Sequence, residues 1–97
     1  MKTINYLVKD EDIRNLKNAE EVIASLFQGK VASEHIFVVD YKNIDNPIVT
    51  MSTGIIFQNF AQKGVAKTII RNHRYKDQLL ENPTIKLLIS QNKLEVF

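Results

Sequence analysis

Apolar and polar positions follow one another along the chain in blocks that predict strands and helices by turns. In residues 3–8 the apolar Ile4, Tyr6 and Val8 stand at every second position, and Leu7 breaks the alternation, which suits a strand at a sheet edge. In residues 11–28 they recur at spacings of three and four, with acids in the first turn and Gly29 at the end. This spacing predicts an amphipathic helix.

The most apolar stretch of the chain is residues 35–41, in which residues 36–39 are consecutive apolar side chains. A run without alternation implies burial on both faces. We therefore expect a central strand with helices above and below a parallel or mixed sheet. Turn residues fill positions 43–47, and the proline at their end keeps the next helix from starting before about Ile48.

The second half of the chain continues the alternation with two more helices and two more strands. We expect these elements at residues 48–64, 65–71, 75–90 and 94–97. Thr50 or Ser52 would cap the first of the two helices, and Gly54 early in it suggests a close approach to another backbone segment. Pro83 should break the second near Asn82.

This order of elements predicts the fold class. Strands separated by crossovers that each contain a helix favour an α/β sandwich with a four-stranded, mainly parallel or mixed sheet and about three helices. A chain of 97 residues is enough for one hydrophobic core and no more. We therefore expect a single domain over residues 1–97.

Composition narrows the functional classes. The sequence contains no cysteine, which excludes disulfides, thiol chemistry and thiolate metal sites. Its apolar runs of four or five residues are far shorter than a membrane-spanning helix, and residues 1–5 lack the apolar region of a signal peptide. A cytoplasmic location is the resulting expectation.

The net charge is +2, but the charges are unevenly distributed. Acids cluster at residues 10–12 and 20–21, whereas residues 63–76 contain none. The basic side chains of that stretch are Lys63, Lys67, Arg71, Arg74 and Lys76, with His73 among them. They form either a solvated face without a specific partner or a surface for nucleic acid or for an acidic or phosphorylated partner.

Motifs for catalysis or cofactors are nearly absent. The two histidines fall on different predicted elements without metal-ligand spacing, and no glycine-rich phosphate loop or nucleophile elbow is present, so we expect no metal and no cofactor. His35 begins the buried strand and should be structural, whereas His73 should lie in a surface loop. Asp40 could be a general base or a metal carboxylate, and with His73 it could form the site of a small α/β enzyme. It could equally bind backbone amides of the turn that follows.

Three hydroxyl side chains surround Gly54, namely Thr50, Ser52 and Thr53. Hydroxyls at a helix start are ordinary N-caps. A phosphate at the same place would meet free backbone amides and the positive end of the helix dipole. The cluster therefore predicts a cap, a phosphorylation site or both.

Residues 35–97 resemble a known family, the STAS domains of bacterial anti-sigma factor antagonists. The shared features are a strand ending in aspartate, a Ser/Thr–Gly helix start, a helix ending at Lys–Gly, a following strand, a Leu–Leu helix and a last apolar strand. They correspond here to Phe37–Asp40, Ser52–Gly54, Lys63–Gly64, Thr68–Ile70, Leu79–Leu80 and Leu94–Phe97. Met51 stands where the family has an aspartate, and Ser52 matches the family serine only with an insertion around residues 45–47.

The resemblance implies a non-enzymatic regulator that binds a kinase-like ATPase or a sigma-factor regulator through residues 46–55. In the family, phosphorylation of the serine or threonine breaks that complex; a member that is no longer phosphorylated is the other interpretation. Ser52 is the first phosphoacceptor candidate, with Thr50 and Thr53 as alternates. The residues implied in partner binding are Asp40, Asn46, Met51, Gly54 and Ile55.

A different class of function is the alternative. The basic residues 63–76 could make the chain a small nucleic-acid-binding protein of a phage or plasmid type. That stretch contains one aromatic residue, Tyr75, which disfavours stacking on single strands. A homodimer is also conceivable, because the edge strand 3–8 could pair between two chains.

Overall fold

A computed structural model describes residues 2–12, 16–28 and 34–97. Within these ranges the strands are β1 (Lys2–Leu7), β2 (His35–Asp40), β3 (Lys67–Arg71) and β4 (Leu94–Val96). The helices are α1 (Lys17–Gln28), α2 (Met51–Gln62), α3 (Lys76–Glu81) and α4 (Pro83–Ser90), with a 3-10 turn at Asp10–Asp12. The predicted alternation of strands and helices is confirmed.

The four strands form one sheet in the order β1-β2-β3-β4, and all three pairings are parallel. In the register of the sheet, Val38 lies between Asn5 of β1 and Ile69 of β3. Ile69 in turn lies opposite Glu95 of β4. The predicted fold class is therefore correct, with a sheet that is wholly parallel rather than mixed and with β1 at an edge.

All four helices pack on one face of this sheet. The core cluster takes Phe37, Val39 and Ile70 from alternate positions of β2 and β3, which point to the same side. The helices supply the other half of the cluster, namely Leu16, Ala19 and Ile23 around α1, Phe57 and Phe60 from α2, Leu79 from α3, and Ile85 and Leu88 from α4. The expectation of helices above and below the sheet is therefore wrong.

The reason lies in the strand order. When every crossover moves to the next strand in the same direction and has the same hand, it places its helix on the same side. The consecutive apolar residues of β2 are buried in two different ways. Phe37 and Val39 enter the core, whereas Val38 is 5% exposed but lies outside the core cluster, on the opposite face of the sheet.

Aromatic contacts hold the centre of the core. The Phe37 ring meets the Phe60 ring edge to face at a centroid distance of 5.7 Å, and Phe60 meets Phe57 in the same way at 5.6 Å. Tyr6 stacks on the other side of Phe37 at 6.1 Å. Such pairs add about 1 kcal/mol each to the burial of the rings, and here they link β1 and β2 to α2.

The first predicted helix begins later than its sequence pattern suggested. Asp12 belongs to the 3-10 turn, and Leu16 has a positive φ of 49°, so α1 starts at Lys17 rather than at residue 11. The Asp12 carboxylate is buried and accepts hydrogen bonds from the Tyr6 hydroxyl and from Asn18 Nδ2. The predicted helix end at Gly29 lies outside the described residues.

The later helices end where their sequence signals predicted. Thr50 is the N-cap of α2, and Gly64, with a φ of 93°, follows its C-cap. The predicted break near Asn82 is confirmed, so the region 75–90 contains two helices and the predicted total of about three is too low. Asn82 caps α4 because its Oδ1 accepts the N–H groups of Thr84 and Ile85 at 3.0 and 3.1 Å.

No helix in the described part of the chain combines the length and the apolar composition that crossing a membrane requires.

Candidate functional site

The loops that follow β2 and β3 meet at the carboxyl edge of the sheet. Asp40 ends β2, and its Oδ1 accepts the Lys42 N–H and Asn72 Nδ2, each at 2.9 Å. The Tyr75 hydroxyl donates to Asn46 Oδ1 at 2.7 Å. Asp40 thus binds a backbone amide of its turn, one of the two roles predicted for it, and Asn46 fixes the loop 41–50 to the chain after β3.

The start of α2 carries the three predicted hydroxyl groups in different environments. The Thr50 N–H donates to Thr53 Oγ1 at 3.0 Å, and the Thr53 side chain is buried. Thr50 and Ser52 are exposed, and their hydroxyl oxygens lie 2.7 Å apart. Thr53 therefore helps to cap the helix, while Thr50 and Ser52 present a hydrogen-bonded pair to solvent.

Gly54 is where α2 touches the start of α4. A Cβ on Gly54 would lie 2.4 Å from Asn82 Oδ1 and 2.7 Å from Thr84 Cβ, distances that leave no space for a side chain. On its other side the Asn82 amide donates to the Thr50 carbonyl at 3.3 Å. The close backbone approach predicted for Gly54 is confirmed, and the residue is buried against the chain's own helix rather than turned outward.

Three exposed apolar side chains lie close in the sequence to the two exposed hydroxyls. Met51 is 70% exposed and Ile55, one turn further along α2, is 50% exposed. Ile48, just before the helix, is also exposed and lines a hollow of about 110 Å³ with Thr50, Ser52 and Thr53. We call Ile48, Met51 and Ile55 the apolar rim of Ser52. Exposed large apolar side chains that lie together are typical of surfaces that bind a partner.

His73 differs from its predicted setting. The expectation of a surface loop is wrong, because the side chain is 6% exposed and its ring lies edge to face on Tyr41 at a centroid distance of 4.7 Å. Its Nδ1 accepts the Tyr75 N–H at 3.1 Å, and its buried Nε2 has no partner among the described residues. Burial lowers the pKa of His73 to about 4, so the ring is neutral near pH 7.

His73 and Tyr41 therefore form a buried pair beneath the loops of the carboxyl edge. Burial also raises the pKa of the Tyr41 hydroxyl above its ordinary value, with the nearby Asp12 charge as a smaller cause. No hydrogen bond joins His73 to Asp40 in the described structure, since Asp40 accepts from Lys42 and Asn72 and His73 accepts from Tyr75. His35 is buried at the start of β2, as predicted.

The predicted basic residues do not share one surface. Lys63 and Lys76 lie beyond opposite ends of β3, and Lys67 and Arg71 lie on the sheet face away from the helices. Two of the cations already have acidic neighbours, since Lys67 pairs with Glu95 at 2.8 Å and Arg74 with Asp45 at 3.2 Å. The phosphate backbone of a nucleic acid would therefore meet scattered positive charges and not one continuous basic surface.

Metal ligands are not assembled either. Over residues 2–12, 16–28 and 34–97 the histidine, aspartate and glutamate side chains form no group of three that could hold an ion. Sequence reasoning missed Tyr41 and the double role of Asn82. The Asn–Pro pair at 82–83 signals an N-cap followed by proline in the first helical turn, but no local signal pairs Tyr41 with His73.

Comparison with known proteins finds no similar sequence or structure. The chain matches no protein-family model, and no curated protein and no solved structure matches it. The resemblance of residues 35–97 to STAS domains therefore stays a prediction.

Proposed function

We propose that this protein is a non-enzymatic, cytoplasmic regulatory domain of the STAS-like type that binds a protein partner through residues 46–55. The observation that carries the proposal is the exposed Ser52 hydroxyl beside the exposed side chains of its apolar rim, with Met51 70% and Ile55 50% exposed. The partner, on the resemblance, is a kinase-like ATPase or a sigma-factor regulator. Phosphorylation of Ser52 releases it.

Burial of the apolar rim supplies the attraction. Covering a Met or Ile side chain completely contributes about 1.5–3 kcal/mol, and both Met51 and Ile55 have at least half of that surface still open. Ser52 is a neighbour of Ile55 on the helix surface, three residues before it, and lines one hollow with Ile48, so a partner that covers these side chains also lies against Ser52. The Ser52 hydroxyl can stay bonded to Thr50 Oγ1 in such a complex.

A phosphate on Ser52 would reverse this balance. It adds a charge of about −1.5 to −2 at the second residue of α2, where free backbone amides and the helix dipole stabilise it within the free protein. In the complex the same charge would be desolvated among apolar side chains, which is costly. Free protein is thereby favoured over the complex.

Exposure ranks the three hydroxyls. Ser52 and Thr50 are open to a kinase, whereas Thr53 is buried and accepts the Thr50 N–H, so its modification would require the helix start to open. Asp40, Asn46 and Gly54 support the site from below by holding the loop and the helix in place. Met51 and Ile55 make the contact itself.

The test compares partner binding by wild type, Ser52→Asp and Ser25→Asp in pull-downs from native cytoplasm, read by mass spectrometry. Ser25 is an exposed serine on α1 and provides the matched control. We expect wild type and Ser25→Asp to retain the same kinase-like or sigma-regulatory partner and Ser52→Asp to lose it. Incubation of the protein with that partner and ATP should add a phosphate that Ser52→Ala abolishes.

Equal recovery by Ser52→Asp and wild type would contradict the proposal. Nucleic acid as the main co-purifying species would support the alternative function instead. In that case affinity should fall steeply as salt rises, with a slope set by the number of phosphate contacts.

A further inference from the structure

No described helix or strand packs on the sheet face opposite the helices. Ile36, Val38 and Ile69 form its centre, where Val38 is only 5% exposed, and the Lys67–Glu95 ion pair lies beside them. Leu7 and Phe97 stand at its two sides with 39% and 62% of their surface exposed. Purely parallel sheets occur almost only with both faces covered. This apolar face therefore lacks the second layer that such a sheet normally has.

The pattern of side chains across this face indicates what covers it. At the carboxyl end, the row from β1 to β4 reads Leu7, Asp40, Arg71 and Phe97. Phe97 continues β4, since its N–H donates to the Ile70 carbonyl at 2.9 Å. The row is therefore apolar, acidic, basic and apolar in turn. When a second copy of the row is laid over it in reverse order, each acid meets a base and each apolar residue meets an apolar residue.

We propose that a second copy of this chain covers the face, related by a two-fold axis that runs along the strands between β2 and β3. Such an axis places β1 of one copy over β4 of the other and β2 over β3, with the rows kept in register. Asp40 then faces Arg71 of the other copy, and Leu7 faces Phe97. In the neighbouring row Val38 faces Ile69, and the helices lie on the two outer sides of the dimer.

The state of the two charges in one chain supports this pairing. Arg71 is exposed and forms no ion pair with any described residue. Asp40 uses Oδ1 for its two bonds within the chain, and Oδ2 has no bond to any described residue. Each copy thus offers one unpaired cation and one carboxylate oxygen to the other.

The charges also select this axis over the other face-to-face arrangement. An axis across the strands, through Val38 and Ile69, would reverse the rows and place Arg71 over Lys67 of the second copy. Two like charges would then meet in the interface. In aligned packing, the strands of two sheets cross at an angle of up to about 30°. A rotation of this size displaces the side chains of β2 and β3 least, because these strands lie nearest the two-fold axis.

The size of the face limits the strength of the dimer. Four strands spaced by about 4.8 Å and rows spanning about 15 Å give a flat area of roughly 300 Å² per copy. Standard interfaces bury about 800 Å² per partner. We therefore expect a weak dimer, with a dissociation constant in the micromolar range or higher. The apolar rim of Ser52 lies at the start of α2, on the helix side of the sheet. Asp40 belongs to both sites, because it also holds the loop beneath the rim. Arg71→Glu therefore tests the dimer without changing the partner site.

The test measures mass by sedimentation velocity from low-micromolar to sub-millimolar concentration. Wild type and the control Arg74→Glu, whose cation is off this face, should shift from monomer to dimer. Arg71→Glu and Asp40→Lys should each stay monomeric, because each places like charges together twice. An equal mixture of the two variants should form a dimer again, since both pairs are then restored. Monomer throughout for wild type, or a dimer unaffected by Arg71→Glu, would overturn the proposal.

Cross-linking gives a second readout that does not depend on Asp40, whose replacement could loosen its loop. The chain contains no cysteine, so Leu7→Cys and Phe97→Cys are each its sole thiol. A short bis-maleimide should link a mixture of the two variants and should link neither variant to itself. Efficient self-linking of Leu7→Cys would refute the face-to-face arrangement, in which the two copies of residue 7 lie on opposite sides of the interface.

Discussion

Gly54→Ala should destabilise the protein by about 2 kcal/mol, against the usual effect of this change in a helix. At an open helix position, alanine in place of glycine stabilises by about 1 kcal/mol. Here the new Cβ would lie 2.4 Å from Asn82 Oδ1 and 2.7 Å from Thr84 Cβ. Carbon atoms in good contact are about 3.5–4.0 Å apart, so α4 would have to move by about 1 Å.

Two costs oppose the gain in helix propensity. Overpacking of a close contact typically costs about 1–3 kcal/mol. Displacing Asn82 weakens the cap of α4, in which its Oδ1 accepts two backbone N–H groups, and loss of such a cap costs about 1 kcal/mol. With the gain subtracted, the net loss is about 2 kcal/mol, or a melting temperature lower by about 10 °C for a domain of this size.

Urea unfolding followed by circular dichroism measures the effect. Asn82→Ala alone should lower the free energy of unfolding by about 1 kcal/mol, because the cap of α4 is lost. In the Gly54→Ala background it should cost much less, because the cap is already displaced and because Asn82 Oδ1 is the atom nearest to the new Cβ. A Gly54→Ala protein that is more stable than wild type, or costs that simply add, would refute the contact between α2 and the start of α4.

Two further predictions concern ionised groups. Because burial holds the pKa of His73 at about 4 while the unfolded chain takes up a proton below about 6.5, lowering the pH from 7 to 5 should cost about 2 kcal/mol of stability through this residue. Urea unfolding at both pH values should show a smaller loss for His73→Gln than for wild type, with His35→Gln as the matched control; equal losses for wild type and His73→Gln would contradict the assignment. The Lys67–Glu95 pair, with its side chains 21% and 41% exposed, should couple by only about 0.5 kcal/mol in a double-mutant cycle with alanine. Coupling well above 1 kcal/mol, or unchanged coupling near 1 M salt, would show that the pair is not a screened surface contact.

Much of the candidate site could be predicted because its signals are local. Hydroxyls followed by glycine mark a helix start, and Thr50 caps α2 as expected. An aspartate at the end of a strand before a turn finds a backbone amide within two residues, as Asp40 does with Lys42. Exposure of Met51 and Ile55 could not be predicted in the same way, because an apolar residue in a helix normally turns toward the core.

His73 shows the opposite case. Its neighbours in the sequence are polar or basic, so local composition indicates a surface loop. Its burial results from packing on Tyr41, a residue 32 positions earlier that β2 brings to the same edge of the sheet. The basic residues 63–76 lie on different surfaces for a related reason, since nearness in sequence across a strand does not keep side chains on one surface.

The sequence by itself determined the elements of this protein and the points where they stop. Periodicity, turn residues and the Asn82–Pro83 break act over a few residues, so they are readable without the fold. Only the tertiary structure decided which face of the sheet the helices cover. Strand order and crossover hand are properties of the whole chain. The apolar run from Ile36 to Val39 is compatible with helices on one face of the sheet or on both, so it could not decide between them. The exposed face, with Asp40 beside Arg71, exists because of that choice.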